Sequence, residues 1–249
     1  MSNAIAIPEG YKPQSPSTLA AYLSCIANVR DILGGVSSSW SIREVGDGNL
    51  NLVFIVKGPA GGIAVKQALP YVRLVGESWP LPLTRAHYEH MALSEQARLT
   101  GDLVPRVIHY DALQALIVME LLEPHIIMRR GMIEAKVYPK FAGDMSTFMA
   151  RTLFFTSDLA LTADRKKAMI AAFAGNTALC KITEDLTFTA PYRVAELNRW
   201  PSPQLDGYAR RWRDDAGLKG AVSRLKLKFL SSAECMLHGD LHTGSVMLT

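Results

Sequence analysis

A change of sequence pattern near residues 120–124 constrains the fold of this chain more than any other feature. Before it, short β-branched and apolar runs alternate with glycine-containing turns, which is typical of consecutive β-hairpins. After it, apolar residues recur mostly at helical spacing. We therefore predict an α+β chain with two lobes: a small antiparallel sheet with a helix over 1–122, and a mostly helical lobe over 123–249.

Local periodicity and turn chemistry predict the individual elements. Ser15-Pro16 is typical of a helix start and Gly34-Gly35 of a helix end, so one helix is predicted between them. Val246–Thr249 has the pattern of a strand beginning with no partner after it, so we expect the chain to be a fragment. The other predicted elements are strands at Ser41–Val45, Leu50–Lys57, Ile63–Leu69, Val107–Tyr110 and Ala115–Met119, and helices at Thr84–Arg98, Lys140–Phe155, Asp164–Phe173, near Leu179 and at Tyr208–Leu230.

Composition and charge exclude several classes of protein. Apolar residues make up 49% of the chain and charged residues 20%, as in ordinary globular proteins. The net charge of +4 is small and the basic residues are scattered, so we expect no nucleic-acid partner. No secretory signal and no apolar run of membrane-spanning length occurs, so a cytoplasmic protein without a membrane partner is expected. Cys25, Cys180 and Cys235 show no metal-binding spacing and are predicted to be free thiols.

Two features of the β-rich part point to phosphate binding. The turn Gly46-Asp47-Gly48-Asn49 lies between two predicted strands, where glycines let backbone N–H groups approach a phosphate. Taken alone, the turn fits a plain hairpin better than a phosphate site. Lys66 lies on the third predicted strand, on the face that Ala64 shares, and is either solvated or directed into a cleft. A glycine turn followed by a strand lysine is the order found in protein-kinase N-lobes, which favours a nucleotide site.

In kinases such a lysine pairs with a helix carboxylate. Glu89 lies in the middle of the helix predicted after Lys66 and is the first candidate. Glu95, on the same helix, is the alternative, and either residue also fits a solvated helix surface. The sequence leaves this choice open.

The strand ending at Glu120-Leu121-Leu122 leaves the β-rich part through a polar residue. At this place in the order of elements, a kinase-like fold has the hinge between its lobes. The backbone groups of a hinge hydrogen-bond adenine. The alternative is an ordinary strand end, because the indication comes from position and not from residue type.

The strongest local motif is His238-Gly239-Asp240. An aspartate placed just after a glycine accepts the proton of a substrate hydroxyl in kinases, where an asparagine five residues later holds metal. The corresponding residue here is Ser245. Alone the motif is weak, but behind a glycine turn, a strand lysine and a hinge it predicts a phosphotransferase.

Five segments together resemble the 5-methylthioribose kinase family. The resemblance implies a bilobal protein-kinase-like fold, ATP and Mg²⁺ as cofactors, a homodimer, and transfer of the ATP γ-phosphate to the 1-hydroxyl of methylthioribose in methionine salvage. The segments are Gly46–Asn51, Val65–Tyr71, Gly76–Pro80, Leu179–Glu184 and His238–Ser245.

The resemblance also implies roles for individual residues. Asn49 and Lys66 would contact ATP together with the turn glycines Gly46 and Gly48, and Trp79 would lie in a loop that covers the cleft. The hinge would comprise Glu120, Leu121 and Leu122, and Asp240 would serve as the base and bind the sugar.

The end of the chain departs from the family pattern. The family continues into an Asp-Pro-Glu segment that holds magnesium, so the metal ligands are expected beyond Thr249 and this chain is expected to lack turnover. Two alternatives stay open: an aminoglycoside- or choline-type small-molecule kinase, and a non-catalytic nucleotide-binding fragment. Gly76–Pro80 and Leu241–Ser245 favour the methylthioribose kinase assignment over the first alternative.

Overall fold

The computed structural model describes residues 7–46, 50–73 and 76–249, except for the side chains of 76–78. Asp47, Gly48 and Asn49 of the predicted phosphate-binding turn lie outside the described residues. The chain divides into two compact units: unit 1 comprises Met1–Thr152 with Leu241–Thr249, and unit 2 comprises Leu153–Asp240. The boundary predicted between residues 122 and 123 lies inside unit 1, and the two-lobe division stays a prediction.

Unit 1 contains all the strands of the described residues. Its helices are α1 (Pro16–Ser24), α2 (Ala27–Leu33), α3 (Arg85–Thr100), α4 (Met128–Ile133) and α5 (Phe141–Phe155), whose last three residues belong to unit 2. Its strands are β1 (Ser41–Glu44), β2 (Asn51–Lys57), β3 (Gly62–Ala68), β4 (Tyr71–Val72), β5 (Gly76–Pro80), β6 (Val107–Asp111), β7 (Leu116–Glu120), β8 (Ile126–Ile127) and β9 (Met247–Leu248).

The main sheet is antiparallel and has the order β1-β2-β3-β7-β6. β3 is its central strand, and Lys66 lies opposite Val53 of β2 and Ile117 of β7. The predicted α+β class and the five predicted strands of the sheet are confirmed. Two further antiparallel pairs, β4 with β5 and β8 with β9, were not predicted from the sequence.

The apolar core of unit 1 lies between the first two helices and one face of the sheet. Phe54 and Val56 of β2 and Val65 of β3 are fully buried, and they alternate with partly exposed residues as a half-buried strand requires. Lys66 therefore points away from this core, on the face predicted from alternation. The buried members of the core are Leu19, Leu23, Val29, Leu33, Trp40, Leu52, Phe54, Val56, Ile63, Val65, Leu69, Leu116 and Val118.

The single helix predicted between Ser15 and Gly34 is wrong, because the structure breaks it at Ile26. This residue has an extended backbone (φ −99°, ψ 112°), and its side chain packs against the core. The predicted ends are confirmed: Ser15 forms a capping box with Thr18, and Gly34 with φ 65° follows the last turn of α2. The helical spacing of apolar residues predicted one continuous helix, whereas packing of the Ile26 side chain against the core favours a break at this residue.

A short N-terminal segment is attached beside β3. The side chain of Gln67 is fully buried: its Nε2 donates to the carbonyl oxygens of Lys12 (2.9 Å) and Gln114 (3.0 Å), and its Oε1 accepts from the N–H of Gln14 (2.8 Å). The hydroxyl of Tyr11 donates to the carbonyl of Ala68 (2.7 Å), and burial raises the pKa of Tyr11 to about 12. The strand carrying Lys66 is thus secured at residues 67 and 68.

Unit 2 is helical, with α6 (Ala163–Phe173), α7 (Thr177–Leu186), α8 (Asp206–Asp214) and α9 (Ala216–Ser231). The single helix predicted over Tyr208–Leu230 is wrong, because Asp215 interrupts it. The Asp215 side chain accepts from the N–H of Leu218 (2.8 Å) and so begins a new helix. No helix of the described residues is both long and apolar enough to span a membrane.

Candidate functional site

Lys66 and Glu89 meet in unit 1. The Nζ of Lys66 on β3 lies 2.5 Å from Oε1 of Glu89 on α3, and the two side chains are 30% and 29% exposed. The alternative partner, Glu95, forms an ion pair with Arg98 instead, at 2.6 Å. The ammonium of Lys66 is thus partly shielded from solvent and paired with one carboxylate.

Arg85 lies one helical turn before Glu89, and sequence reasoning missed it. Its side chain is only 4% exposed, and its guanidinium donates to the carbonyls of Leu50 and Pro82 and to Oδ1 of Asn51 (3.3 Å). Burial lowers the pKa of Arg85 to about 10, and the negative charge of Glu89 partly opposes this. The four-residue spacing to Glu89 was the signal that could have identified it.

The predicted phosphate-binding turn is described only at its flanks. The N–H of Val45 donates to the carbonyl of Val53 (2.8 Å). Among the residues that the structure describes, none has an atom within 4 Å of the position that a Cβ at Gly46 would take. The roles predicted for Gly48 and Asn49 lie outside the described residues, and the role of the whole turn stays a prediction.

The predicted hinge follows β7 directly. The N–H of Glu120 donates to the carbonyl of Arg106 (2.9 Å), and Oε2 of Glu120 accepts from the N–H of Arg106 (3.2 Å). Leu121 and Leu122 are partly buried and lie beyond the strand. Because Arg106 occupies the N–H of Glu120, that N–H is not the group that would bind adenine.

Asp240 is the last residue of unit 2 and is exposed. Its N–H donates to Nδ1 of His238 (3.2 Å) across Gly239, whose φ of +77° lies in the left-handed region that favours glycine. Lys66 and Glu89 belong to unit 1. The structure therefore brings together two of the predicted site residues, and it places Asp240 in a turn that the HGD motif itself forms.

The segment after Asp240 belongs to unit 1 and is held by the start of α4. The N–H of Arg129 donates to the carbonyl of Thr243 (3.0 Å), and the N–H of Met128 donates to that of Val246 (2.9 Å). β9 then pairs with β8, Ile127 lying opposite Met247. The sequence predicted a strand start with no partner after it, and the structure pairs this run with a strand more than a hundred residues earlier in the chain.

Comparison with known proteins shows the family of the chain. The sequence model described as "Phosphotransferase enzyme family" matches residues 41–249. The chain belongs to this family. The family match includes Lys66, Glu89, the predicted hinge and Asp240, and the predicted kinase-like α+β class agrees with it.

Three curated relatives are methylthioribose kinases. That of Escherichia coli O45:K1 (strain S88 / ExPEC) is 49% identical over 98% of this chain and 58% of its own length. Methylthioribose kinase 1 of Oryza sativa subsp. japonica is 45% identical over 97% of this chain and 56% of its own length. The Geobacillus kaustophilus (strain HTA426) enzyme is 44% identical over 83% of this chain and 52% of its own length. The chain thus spans between half and three fifths of the length of these relatives.

The two comparisons differ at the N-terminus. The phosphotransferase family match begins at Ser41, the first residue of β1, whereas the alignment to the E. coli relative covers 245 residues of this chain. The longer alignment therefore includes α1 and α2, which cover one face of the sheet. The segment that forms these two helices is therefore aligned with the E. coli relative and lies outside the residues that the family model matches.

The described residues do not form a metal site. Among them, no group of three or more His, Cys, Asp or Glu side chains is placed to hold an ion. Mg²⁺ prefers several hard oxygens at near-octahedral geometry, and Asp240 with the neutral Ser245 falls short of that set.

Proposed function

We propose that this phosphotransferase transfers the γ-phosphate of ATP to the 1-hydroxyl of 5-methylthioribose, a step of methionine salvage. The observation that carries the proposal is the ion pair between Lys66 of the central strand and Glu89 of α3. It lies in a chain that is 45–49% identical to methylthioribose kinases over nearly its whole length. A helix carboxylate that orients a strand lysine toward phosphates is the arrangement phosphoryl transfer uses.

Nucleotide binding is assigned to unit 1. The ammonium of Lys66 would bridge the phosphates, and Glu89 would hold it in position. The backbone of the turn Gly46–Asn49, with the Asn49 side chain, would add donors to the same phosphates. Adenine would bind the hinge, Glu120–Leu122, through backbone groups other than the N–H that Arg106 occupies.

Chemistry is assigned to Asp240. Its carboxylate would accept the proton of the sugar hydroxyl as that oxygen attacks the γ-phosphorus and the bond to the β-phosphate oxygen breaks. The same carboxylate would orient the sugar. ATP would be supplied as its Mg²⁺ complex, and the metal would contribute neutralisation of phosphate charge; the described residues alone do not complete a site for it.

We propose a cytoplasmic homodimer without a nucleic-acid or membrane partner. The three cysteines are free, which suits a reducing compartment. The dimer rests on the family resemblance, and sedimentation equilibrium of the purified protein would test it.

The test separates nucleotide binding from turnover. By calorimetry the 249-residue chain should bind ADP, and Lys66→Met should weaken that binding about 10- to 100-fold, because an ammonium–phosphate hydrogen bond contributes about 1.5–3 kcal/mol. Asp240→Asn should leave ADP affinity unchanged, because Asp240 is assigned to the sugar. Equal loss in both variants would contradict the division of roles.

The substrate is tested with the chain extended at its C-terminus to the length of its relatives. We expect ATP consumption that depends on methylthioribose and is absent with kanamycin or choline. Asp240→Asn should lower kcat by orders of magnitude in this longer protein. Comparable turnover of kanamycin or choline would favour the alternative small-molecule kinase, and ADP binding without any turnover would favour a nucleotide-binding module.

A further inference from the structure

We infer that Arg85 is a positioning residue for the phosphate end of the nucleotide site, tying the start of β2 to the helix that carries Glu89. The inference rests on the proposed nucleotide binding. It concerns how Leu50 and Asn51, at the start of β2, are held relative to the Lys66–Glu89 pair, which neither the family match nor the relatives' names address.

The contacts of Arg85 join two segments that are 35 residues apart. Nη2 donates to the carbonyl of Leu50, which directly follows the predicted phosphate-binding turn, and to Oδ1 of Asn51 at 3.3 Å. Nη1 donates to the carbonyl of Pro82 at 3.1 Å, in the loop before α3. The carbonyl of Leu50 also accepts from the N–H of Leu69 at the end of β3 (3.4 Å). One guanidinium therefore fixes the exit of the turn against the entry of α3.

These contacts close a ring that passes through the phosphate site. Arg85 and Glu89 are four residues apart and share a face of α3. Glu89 contacts Lys66, and β3 is paired in register with β2, the strand that Arg85 contacts at its start. Removing Arg85 opens the ring at the point nearest the turn, while β2, β3 and the Lys66–Glu89 pair remain.

The position of Arg85 is unfavourable for a residue that only fills space in the core. Arg85 is the first residue of α3, where the helix dipole disfavours a cation. Burying a guanidinium is costly unless its donors are satisfied, and an apolar side chain would fill the same space without that cost. Arg85 is also too deeply buried to bind phosphate itself, since only 4% of it is exposed. The property of arginine that this position uses is its forked guanidinium, which hydrogen-bonds two carbonyls at once.

The test compares two ligands that differ only in phosphate. Calorimetry on the 249-residue chain, below the thermal midpoint of each variant, measures the affinity for adenosine and for ADP. Arg85→Met should lower ADP affinity about tenfold and adenosine affinity less than twofold, because hinge contacts to adenine do not pass through Arg85. Arg85→Lys keeps the charge but loses the fork, so it should show a smaller loss that is again confined to ADP.

The control is Arg98→Met on the same helix. Arg98 is 56% exposed and pairs only with Glu95 among the salt bridges of the described residues, so neither affinity should change. If Arg85→Met lowered the affinities for adenosine and ADP equally, or lowered neither, the inference would be overturned. A residue that only stabilises the fold would not affect ADP binding more than adenosine binding. If Arg85→Met does not fold, the Arg85→Lys comparison decides by the same criterion. A wild-type chain that fails to bind ADP would instead contradict the proposed function.

Discussion

The two units differ in how they are held together. Unit 1 has a continuous apolar core in which Phe54, Val56 and Val65 are fully buried. Across residues 153–240, all of which the structure describes, the deeply buried side chains are few and two of them are polar. They are Thr156, Lys166, Ala190, Val222 and Met236.

A buried lysine takes a central place in unit 2. The Nζ of Lys166 donates to the carbonyls of Thr156 (3.0 Å) and Glu234 (2.5 Å), and Oγ1 of Thr156 accepts from the N–H of Met236 (2.8 Å). These bonds fasten the segment that leads to Asp240. Unit 1 is thus stabilised mainly by apolar burial and unit 2 to a larger extent by hydrogen bonds, so unit 2 should open at lower free energy.

The largest effect that tests this difference is expected at Phe54. Phe54→Ala should reduce the free energy of unfolding of unit 1 by about 3–5 kcal/mol, because it leaves a cavity in a packed core. Val222→Ala in unit 2 should cost only about 1–2 kcal/mol. Urea unfolding is followed by the fluorescence of Trp40 for unit 1 and of Trp212 for unit 2, in variants where the other tryptophans are phenylalanine. Equal losses in the free energy of unfolding for the two variants would show that the core of unit 2 is packed as well as that of unit 1.

An intermediate effect is expected at Lys166. Lys166→Met should destabilise unit 2 by about 1–3 kcal/mol, because the carbonyls of Thr156 and Glu234 lose a buried donor. It should also speed amide hydrogen exchange in residues 234–240, measured by mass spectrometry. Lys167→Met, on the exposed side of the same helix, should change stability by less than about 0.5 kcal/mol. If Lys166→Met left the free energy of unfolding unchanged, the cost of desolvating the ammonium would be as large as the stabilisation from its hydrogen bonds.

The smallest effect concerns unit 1 at high pH. Burial raises the pKa of Tyr11 to about 12, above the value of about 10 in an unfolded chain. Between these values the unfolded state loses a proton that the folded state keeps, so stability falls as pH rises from about 10 to about 12. In urea unfolding, the stability of the Tyr11→Phe variant should fall less steeply with pH over this range than that of the wild type. The stability of Tyr208→Phe, changed at an exposed position of unit 2, should follow the wild type. Arg85, whose pKa is lowered to about 10, is present in all three proteins and interacts electrostatically with Tyr11, so the slope of Tyr11→Phe reports on both groups. Identical slopes in all three would mean that ionisation of Tyr11 does not couple to folding.

The sequence was sufficient to predict the face of the sheet on which Lys66 lies, because that face depends only on alternation along its own strand. Alternation along β3 placed Lys66 on the face opposite Ile63 and Val65, and the structure has it there. The choice between Glu89 and Glu95 was beyond the same reasoning, because both lie in the middle part of one helix. Packing decided it: the face of α3 that carries Arg85 and Glu89 turns toward the sheet, whereas Glu95 pairs along the helix surface with Arg98.

Local sequence is sufficient to specify the strands with their faces and most helix positions. Periodicity and turn chemistry encode these because each depends on neighbours a few residues away. The tertiary structure alone decided the break of the first helix at Ile26, the pairing of β8 with β9, and the burial of Arg85 against Leu50. Each of these depends on a contact between segments distant along the chain, whose free energy of burial outweighs the local preference of the residues involved.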